Sequence, residues 1–422
     1  MESTTARSKR KFAPLKTLGP GLITGAADDD PSGIATYSQV GAQFGYELGW
    51  TMLFSFPLMA AIQGISAGIG AVTGQGIAQN LRRHYSPWVM SIAVALLLIA
   101  NMINLGADLA AMGAALQLLI DGPYQLYAII FALICVGLEV FVSYARYVKV
   151  LKWLTLSLLA YVAVVLSVNV PWAEALSGAL IPQIVLDGDH AMALVAILGT
   201  TISPYLFFWQ AGEEVEELHR RNLAPLSTHP RGAGKELSRI RVDTLVGMGF
   251  SNLVALFIII ATGATLHAAG VTQIQTSAQA AEALRPIAGP LAFAIFSIGI
   301  IGTGMLAVPV LAGSSAYAVA EMFRWPEGLD RRPKEAKAFY ATIAVATIGS
   351  IILSFSALDP IRALYWSAVV NGILAVPLMA IMLRMAVNPR IMGRLTAPRW
   401  MVALGWLATL VMALATIGFF VL

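Results

Sequence analysis

Eleven long apolar stretches alternate with short polar ones along the chain. They run roughly over 19–43, 50–73, 88–118, 124–144, 150–171, 191–211, 242–266, 289–320, 338–357, 361–386 and 399–422. A helix needs roughly 20 apolar residues to cross a hydrocarbon layer, and each stretch supplies about that many. The runs are continuous rather than alternating, which excludes transmembrane β-strands. The pattern predicts an all-α membrane protein with no inserted soluble domain. The longest polar stretch, 213–241, is expected to be a loop.

Two stretches are unlike the rest. The first reads GPGLITGAADDDPSGIATYSQ and the sixth ILGTTISPYLFFWQAGEEVEE. Each carries a proline in mid-span, Pro31 and Pro204, which removes a helix hydrogen bond and clashes with the preceding turn. Gly25, Gly33 and Gly199 flank the breaks and lower the cost of unwinding. Non-helical backbone at membrane depth is tolerated only where it is buried or lines a cavity. Spans one and six hold the same place in two consecutive sets of five, entered from opposite sides. This predicts an inverted repeat: 19–171 as the first five helices, 191–386 as the second, and 399–422 as an appended eleventh helix. Two unrelated proline kinks are the simpler alternative.

Composition agrees. Of 422 residues, 58% are apolar and 12% charged, against roughly 25% charged in a soluble domain. A soluble enzyme, a disordered chain and a nucleic-acid-binding protein are excluded. The lone Cys135 permits no intrachain disulfide and no cysteine metal cage. With residues 1–18 placed inside as a basic tail, all 27 Lys and Arg except Arg285 and Arg362 fall on the inner side. That bias predicts a cytoplasmic N-terminus. The tail lacks the pattern of a cleaved signal, so a bacterial-type plasma (inner) membrane is the expected location.

The first break holds Asp28, Asp29 and Asp30, and no Lys or Arg lies in the middle of a span to neutralise them. An intramembrane carboxylate marks a functional site by default, and the expected counter-charge is a transported cation. Asp30, just before Pro31, is the candidate direct ligand; Asp28 and Asp29 can line an approach route or share a proton. Span six offers Ser203, Tyr205 and Gln210, and the unwound carbonyls of Ala27 and Thr200 add oxygens. Hard oxygen donors suit Mg²⁺, Ca²⁺ and Mn²⁺. None of the five histidines, at 84, 190, 219, 229 and 267, lies near a break, which argues against a zinc site.

Other polar positions are ambiguous. Asn101, Asn104 and Asp108 share one face of span three, as an ion or proton route or as interhelical hydrogen bonds. Asn371 in span ten either contacts the site or packs helices. Ser203, Gln210, Glu214 and Glu217 recur at helical spacing, as an acidic exit or as a solvated helix end. Glu139 in span four stands alone.

These residues resemble the natural-resistance-associated macrophage protein (NRAMP) divalent-metal transporters. GPG at 19–21 and Asp30-Pro31-Ser32-Gly33 are similar to that family's GPG and Asp-Pro-Gly-Asn, with Gly33 at the metal-binding Asn position. Thr200 to Tyr205 is similar to its Ala-x-x-Met-Pro-His, with Ser203 at the metal-binding Met and Tyr205 at the His. ADLA at 107–110 keeps Asp108, followed by Ala111 where the family has an acid. The chain thus resembles a divergent branch akin to the NRAMP-related magnesium transporters.

The resemblance implies a leucine-transporter-type fold and alternating access. It implies inward transport of Mg²⁺ and/or Mn²⁺, with the family's proton-relay groups missing at 205 and 111. Losing the thioether removes a preference for softer metals, and small residues at 33 and 203 are expected to leave room for a partly hydrated ion. The expected partners are the divalent cation and the lipid bilayer, with no resident cofactor and no nucleic acid. Alternatives are a carrier of organic cations with the same fold, an intramembrane aspartyl enzyme, and a metal sensor that does not transport.

Overall fold

The computed structural model describes residues 19–142, 157–228, 230–329, 331–355 and 359–422. The basic tail 1–18, His229 and the start of span five lie outside the described residues. The described chain is helical. In order it forms α1 (Pro20–Asp28), α2 (Pro31–Phe44), α3 (Trp50–Thr73), α4 (Ile77–His84), α5 (Pro87–Gln117), α6 (Tyr124–Phe141), α7 (Leu159–Ser167) and α8 (Trp172–Leu180). There follow α9 (Gly188–Thr201), α10 (Pro204–Arg220), α11 (Pro230–Thr262), α12 (Ala292–Phe323), α13 (Lys337–Ser350), α14 (Pro360–Ala386) and α15 (Arg399–Val421), with short turns of helix between them.

Among the described residues, nine helical segments are long and apolar enough to span a membrane, span six being counted across its break as Gly188–Arg220. The eleven expected stretches reduce to nine for two reasons. Span one is divided into helices of 9 and 14 residues. Only the 9-residue α7 is described from span five.

The two breaks are real chain interruptions rather than kinks. Pro31 and Pro204 each sit in the first turn of a new helix, where the missing N–H costs nothing. Asp29–Asp30 separate α1 from α2, and Ile202–Ser203 separate α9 from α10. By contrast Pro57, Pro309 and Pro377 lie inside continuous helices. One expectation is corrected: α10 runs to Arg220 and α11 begins at Pro230, so most of 213–241 is helix rather than loop. Acidic and basic side chains there pair with one another, which lets the helix ends extend beyond the apolar run.

Small residues set the packing around the breaks. A Cβ on Gly25 would collide with the backbone of Gly247, and one on Gly21 would lie 2.7 Å from Thr244 N. A Cβ on Gly199 would meet Ala368 O and lie 2.5 Å from Gly372 N. The first half of span one, α1, therefore rests directly on α11, and α9 on α14. Such close backbone approach drives helix association in lipid, where the hydrophobic effect does not.

Candidate functional site

Asp30 occupies the gap in span one. Its backbone is extended (φ −69°, ψ 172°), and its side chain caps α2. One oxygen, Oδ1, accepts from Gly33 N at 2.8 Å and Ser32 Oγ at 2.6 Å. The other, Oδ2, accepts from Asn104 Nδ2 at 3.0 Å and from Tyr205 Oη at 3.2 Å. Among the described residues, no Lys or Arg appears among its partners. Tyr205 Oη also lies 3.1 Å from the carbonyl of Ala27, which is left without a helical partner as α1 ends. One phenol thus joins the two broken helices. Asn104 is in turn held by Ser367 Oγ, which donates to Asn104 Oδ1 at 2.8 Å. All of these groups are buried.

The structure brings together Asp30, Ala27, Tyr205 and Asn104, with Thr200 and Gly33 beside them. It engages three expected groups differently. Ser203 turns its hydroxyl back to Gly199 O (2.7 Å) and Thr200 O (2.9 Å), because the broken end of α9 needs donors there. Gln210 donates to Thr244 Oγ1 at 2.9 Å. It lies five residues past Tyr205, about 7.5 Å along α10. At Gly33 there is no spare room: a Cβ would lie 3.2 Å from Asp28 O and 3.3 Å from Thr200 Oγ1. The expected space for a hydrated ion is taken up by the close approach of α2 to α9.

Asp28 and Asp29 turn away from Asp30 toward α11. Ser251 Oγ lies 2.6 Å from Asp28 Oδ2 and 3.0 Å from Asp29 Oδ1. A hydroxyl has one proton, so it satisfies only one of the two carboxylates. Asp28 Oδ1 has no partner among the described residues.

The polar face of span three also divides. Asn101 faces α12, within reach of Leu311 O, Ser314 Oγ and Ser315 Oγ, and so ties two helices together. Asn104 faces Asp30. Asp108 is fully buried, with both oxygens unpartnered among the described residues. Asn371 is likewise buried and unpartnered, one turn beyond Ser367 on the same face of α14.

The acidic run in α10 is drawn into ion pairs and hydrogen bonds, with Glu217 half-buried 3.7 Å from Arg220. Glu213, Glu214 and Glu216 are buried. Glu213 pairs with Arg220 at 3.1 Å and Glu214 with Arg239 at 3.0 Å, while Glu216 accepts from Tyr317 and from Leu329 N. Arg239 reaches within 4.0 Å of Asp243, whose oxygens accept from Gly19 N (3.0 Å) and Gly21 N (2.9 Å) at the start of α1. The N-terminal end of span one is thus clamped into an ionic network.

Sequence reasoning missed Asp243, Ser251 and Ser367. Each lies within an apolar span, and its partner is far away in the sequence. Asp243 carried the one usable signal, an acid at a span's end.

Two cavities are lined in part by the broken helices α2 and α10. One, of about 210 Å³, is lined by Ala35, Gln39, Asp189 and Tyr365. The other, of about 420 Å³, is lined by Glu216, Tyr317, Glu321 and Glu327. Asp30 lines neither. Among the described residues no three His, Cys, Asp or Glu side chains converge as a metal cage. The candidate donor set is one carboxylate and neutral oxygens.

The family model described as natural resistance-associated macrophage protein-like matches residues 21–422. A "Divalent metal cation transporter MntH" of Klebsiella pneumoniae is 26% identical over 417 residues, covering 96% of this chain and 94% of that protein. One of the same description from Xanthomonas campestris is 28% identical over 416 residues, covering 95% and 89%. A crystal structure of the Eremococcus coleocola manganese transporter, in complex with an aromatic bis-isothiourea compound, superposes with a TM-score of 0.76 at 17% identity. It covers 98% of this chain and 88% of that one. MHP1, a nucleobase-cation-symport-1 family transporter, superposes at 0.56 with 14% identity, covering 95% and 91%. The shared architecture is the leucine-transporter type.

Proposed function

The chain belongs to the natural resistance-associated macrophage protein-like family, and on that premise we propose that it carries divalent metal cations, Mg²⁺ and/or Mn²⁺, into the cytoplasm by alternating access. It is a transporter rather than an enzyme. The reading rests above all on Asp30, a buried carboxylate at the junction of two broken helices, with no basic partner among the described residues. A cation entering there replaces the donors on Oδ2 and gains the Ala27 and Thr200 carbonyls as further hard ligands. The relatives described as divalent metal cation transporters support the substrate class.

The preference for hard ions rests on the loss of a soft ligand: Ser203, whose hydroxyl is spent on the end of α9, stands where the family has a thioether. Tyr205 and Ala111 replace the family's histidine and acid, so any coupled proton must use Asp28, Asp29 or Asp108. Spans one and six are the moving elements, and opening inward requires α1 to leave its Asp243 cap. The basic face is cytoplasmic, consistent with the positive-inside rule, and the membrane is a bacterial-type plasma membrane.

Uptake of Mg²⁺, Mn²⁺ and Ca²⁺ into proteoliposomes, read together with internal pH, tests this. Saturable Mg²⁺ or Mn²⁺ uptake is expected. Transport of an organic cation with no divalent metal uptake overturns it.

A further inference from the structure

We propose that the chain holds an anionic phospholipid at its basic face, in a cleft between α3, α11 and the start of α15. A cavity of about 180 Å³ lies there. Its walls are apolar and include Gly64, Gly68, Ile240 and Met401, while Arg241 and Arg394 also line it. Arg394 is exposed and Arg241 half-buried, so the charged end is the end that meets solvent. No carboxylate among the described residues pairs with either arginine.

The surroundings fix the depth. On α11, Val242, Leu245 and Val246 follow Arg241 and are exposed, as a lipid-facing surface requires. Trp400, 54% exposed, begins α15 beside Arg399; tryptophan and arginine together mark the headgroup level. The cleft thus lies where acyl chains meet headgroups. α15 starts behind Pro398 with no side-chain cap, so its first N–H groups add to the anion-attracting end.

The occupant follows from the two ends together. Two unpaired guanidiniums suit a phosphate diester. The apolar end is left open by the protein: a Cβ on Gly68 would meet nothing within 4 Å. Inorganic phosphate would satisfy the arginines and leave that slot unfilled; a phospholipid fills both with headgroup and acyl chain. A basic pocket between transmembrane helices is a recognised form of lipid site.

The test is native mass spectrometry of the full chain released from nanodiscs of mixed phosphatidylglycerol and phosphatidylcholine. The wild type is expected to retain phosphatidylglycerol in preference to phosphatidylcholine. Arg241→Gln with Arg394→Gln should lower that preference about 30-fold, the worth of two juxtamembrane arginines. Arg285→Gln with Arg362→Gln, the same charge change on the opposite face, should leave it intact. Gly68→Leu keeps both arginines and fills the slot, and should also lose retention. Equal retention of the two lipids by the wild type overturns the proposal. So does undiminished preference in the Arg241/Arg394 variant, or displacement of the lipid by inorganic phosphate with Gly68→Leu still binding.

Discussion

Replacing Asp243 by alanine should free α1, the first half of span one. Asp243 is buried on α11, and it accepts from Gly19 N at 3.0 Å and Gly21 N at 2.9 Å. Charge-assisted hydrogen bonds of this kind contribute about 1.5–3 kcal/mol, and removal of an N-cap acceptor costs about 0.5–2 kcal/mol. About 2 kcal/mol is a reasonable centre, and at 1.4 kcal/mol per decade this shifts the equilibrium about 30-fold. A clamped arrangement favoured about 100-fold would fall to about 3:1. The chain's single cysteine, Cys135, is buried, which makes the measurement clean. In a Cys135→Ala background, Thr24→Cys places a thiol on the buried face of α1. Maleimide labelling of that thiol, which follows the open fraction, should accelerate about 20-fold in Asp243→Ala, with Asp243→Asn intermediate because it keeps one acceptor. An unchanged rate in a folded Asp243→Ala protein would refute the clamp.

Three further substitutions probe other parts of the account. Ser203→Met, which restores a thioether, should raise the preference for Mn²⁺ over Mg²⁺ in competitive uptake at least about tenfold; an unchanged ratio contradicts the hard-ligand reading. Ser251→Ala removes the hydroxyl shared by Asp28 and Asp29 and should cost about 1–3 kcal/mol of stability. Adding Asp28→Asn should recover part of that loss, and a wild-type melting curve for Ser251→Ala would show that the shared hydroxyl matters little. Burial and the Glu321 and Glu216 carboxylates push Glu327 up to about 9, from an ordinary value of 4.5. The folded chain therefore holds an extra proton between those values, and stability falls as pH rises through that window. Glu327→Gln should flatten the change in melting temperature between about pH 6 and about pH 9, and an unaltered slope counts against the assignment.

The spans and the breaks were legible because lipid enforces them. Every backbone group must be satisfied inside the bilayer, so uninterrupted apolar runs become helices and interruptions stand out. Pro31 and Pro204 announced the breaks only in combination with the polar residues before them, since Pro57, Pro309 and Pro377 leave their helices continuous. Asp30, Asn104 and Tyr205 were nameable from residue type and position. Their mutual contacts were not, because they join residues 74 and 175 positions apart. The sequence pattern placed Gln210 and Ser203 as donors by spacing alone. Spacing gives the face of a helix but not which neighbour competes for the side chain, and here Thr244 and the end of α9 do. The partners of the acidic run of α10 were hidden for a related reason. Arg239 neutralises Glu214 across 25 residues, and Tyr317 engages Glu216 across 101.

The central claim is that Asp30 provides the charge that binds the transported ion. The direct measurement is saturable Mn²⁺ and Mg²⁺ uptake into proteoliposomes by the wild type and by Asp30→Asn, an isostere that keeps an oxygen to cap α2. The account predicts that uptake disappears in Asp30→Asn while the protein remains folded and inserted. Uptake that persists at the wild-type rate would place the ion elsewhere and contradict it.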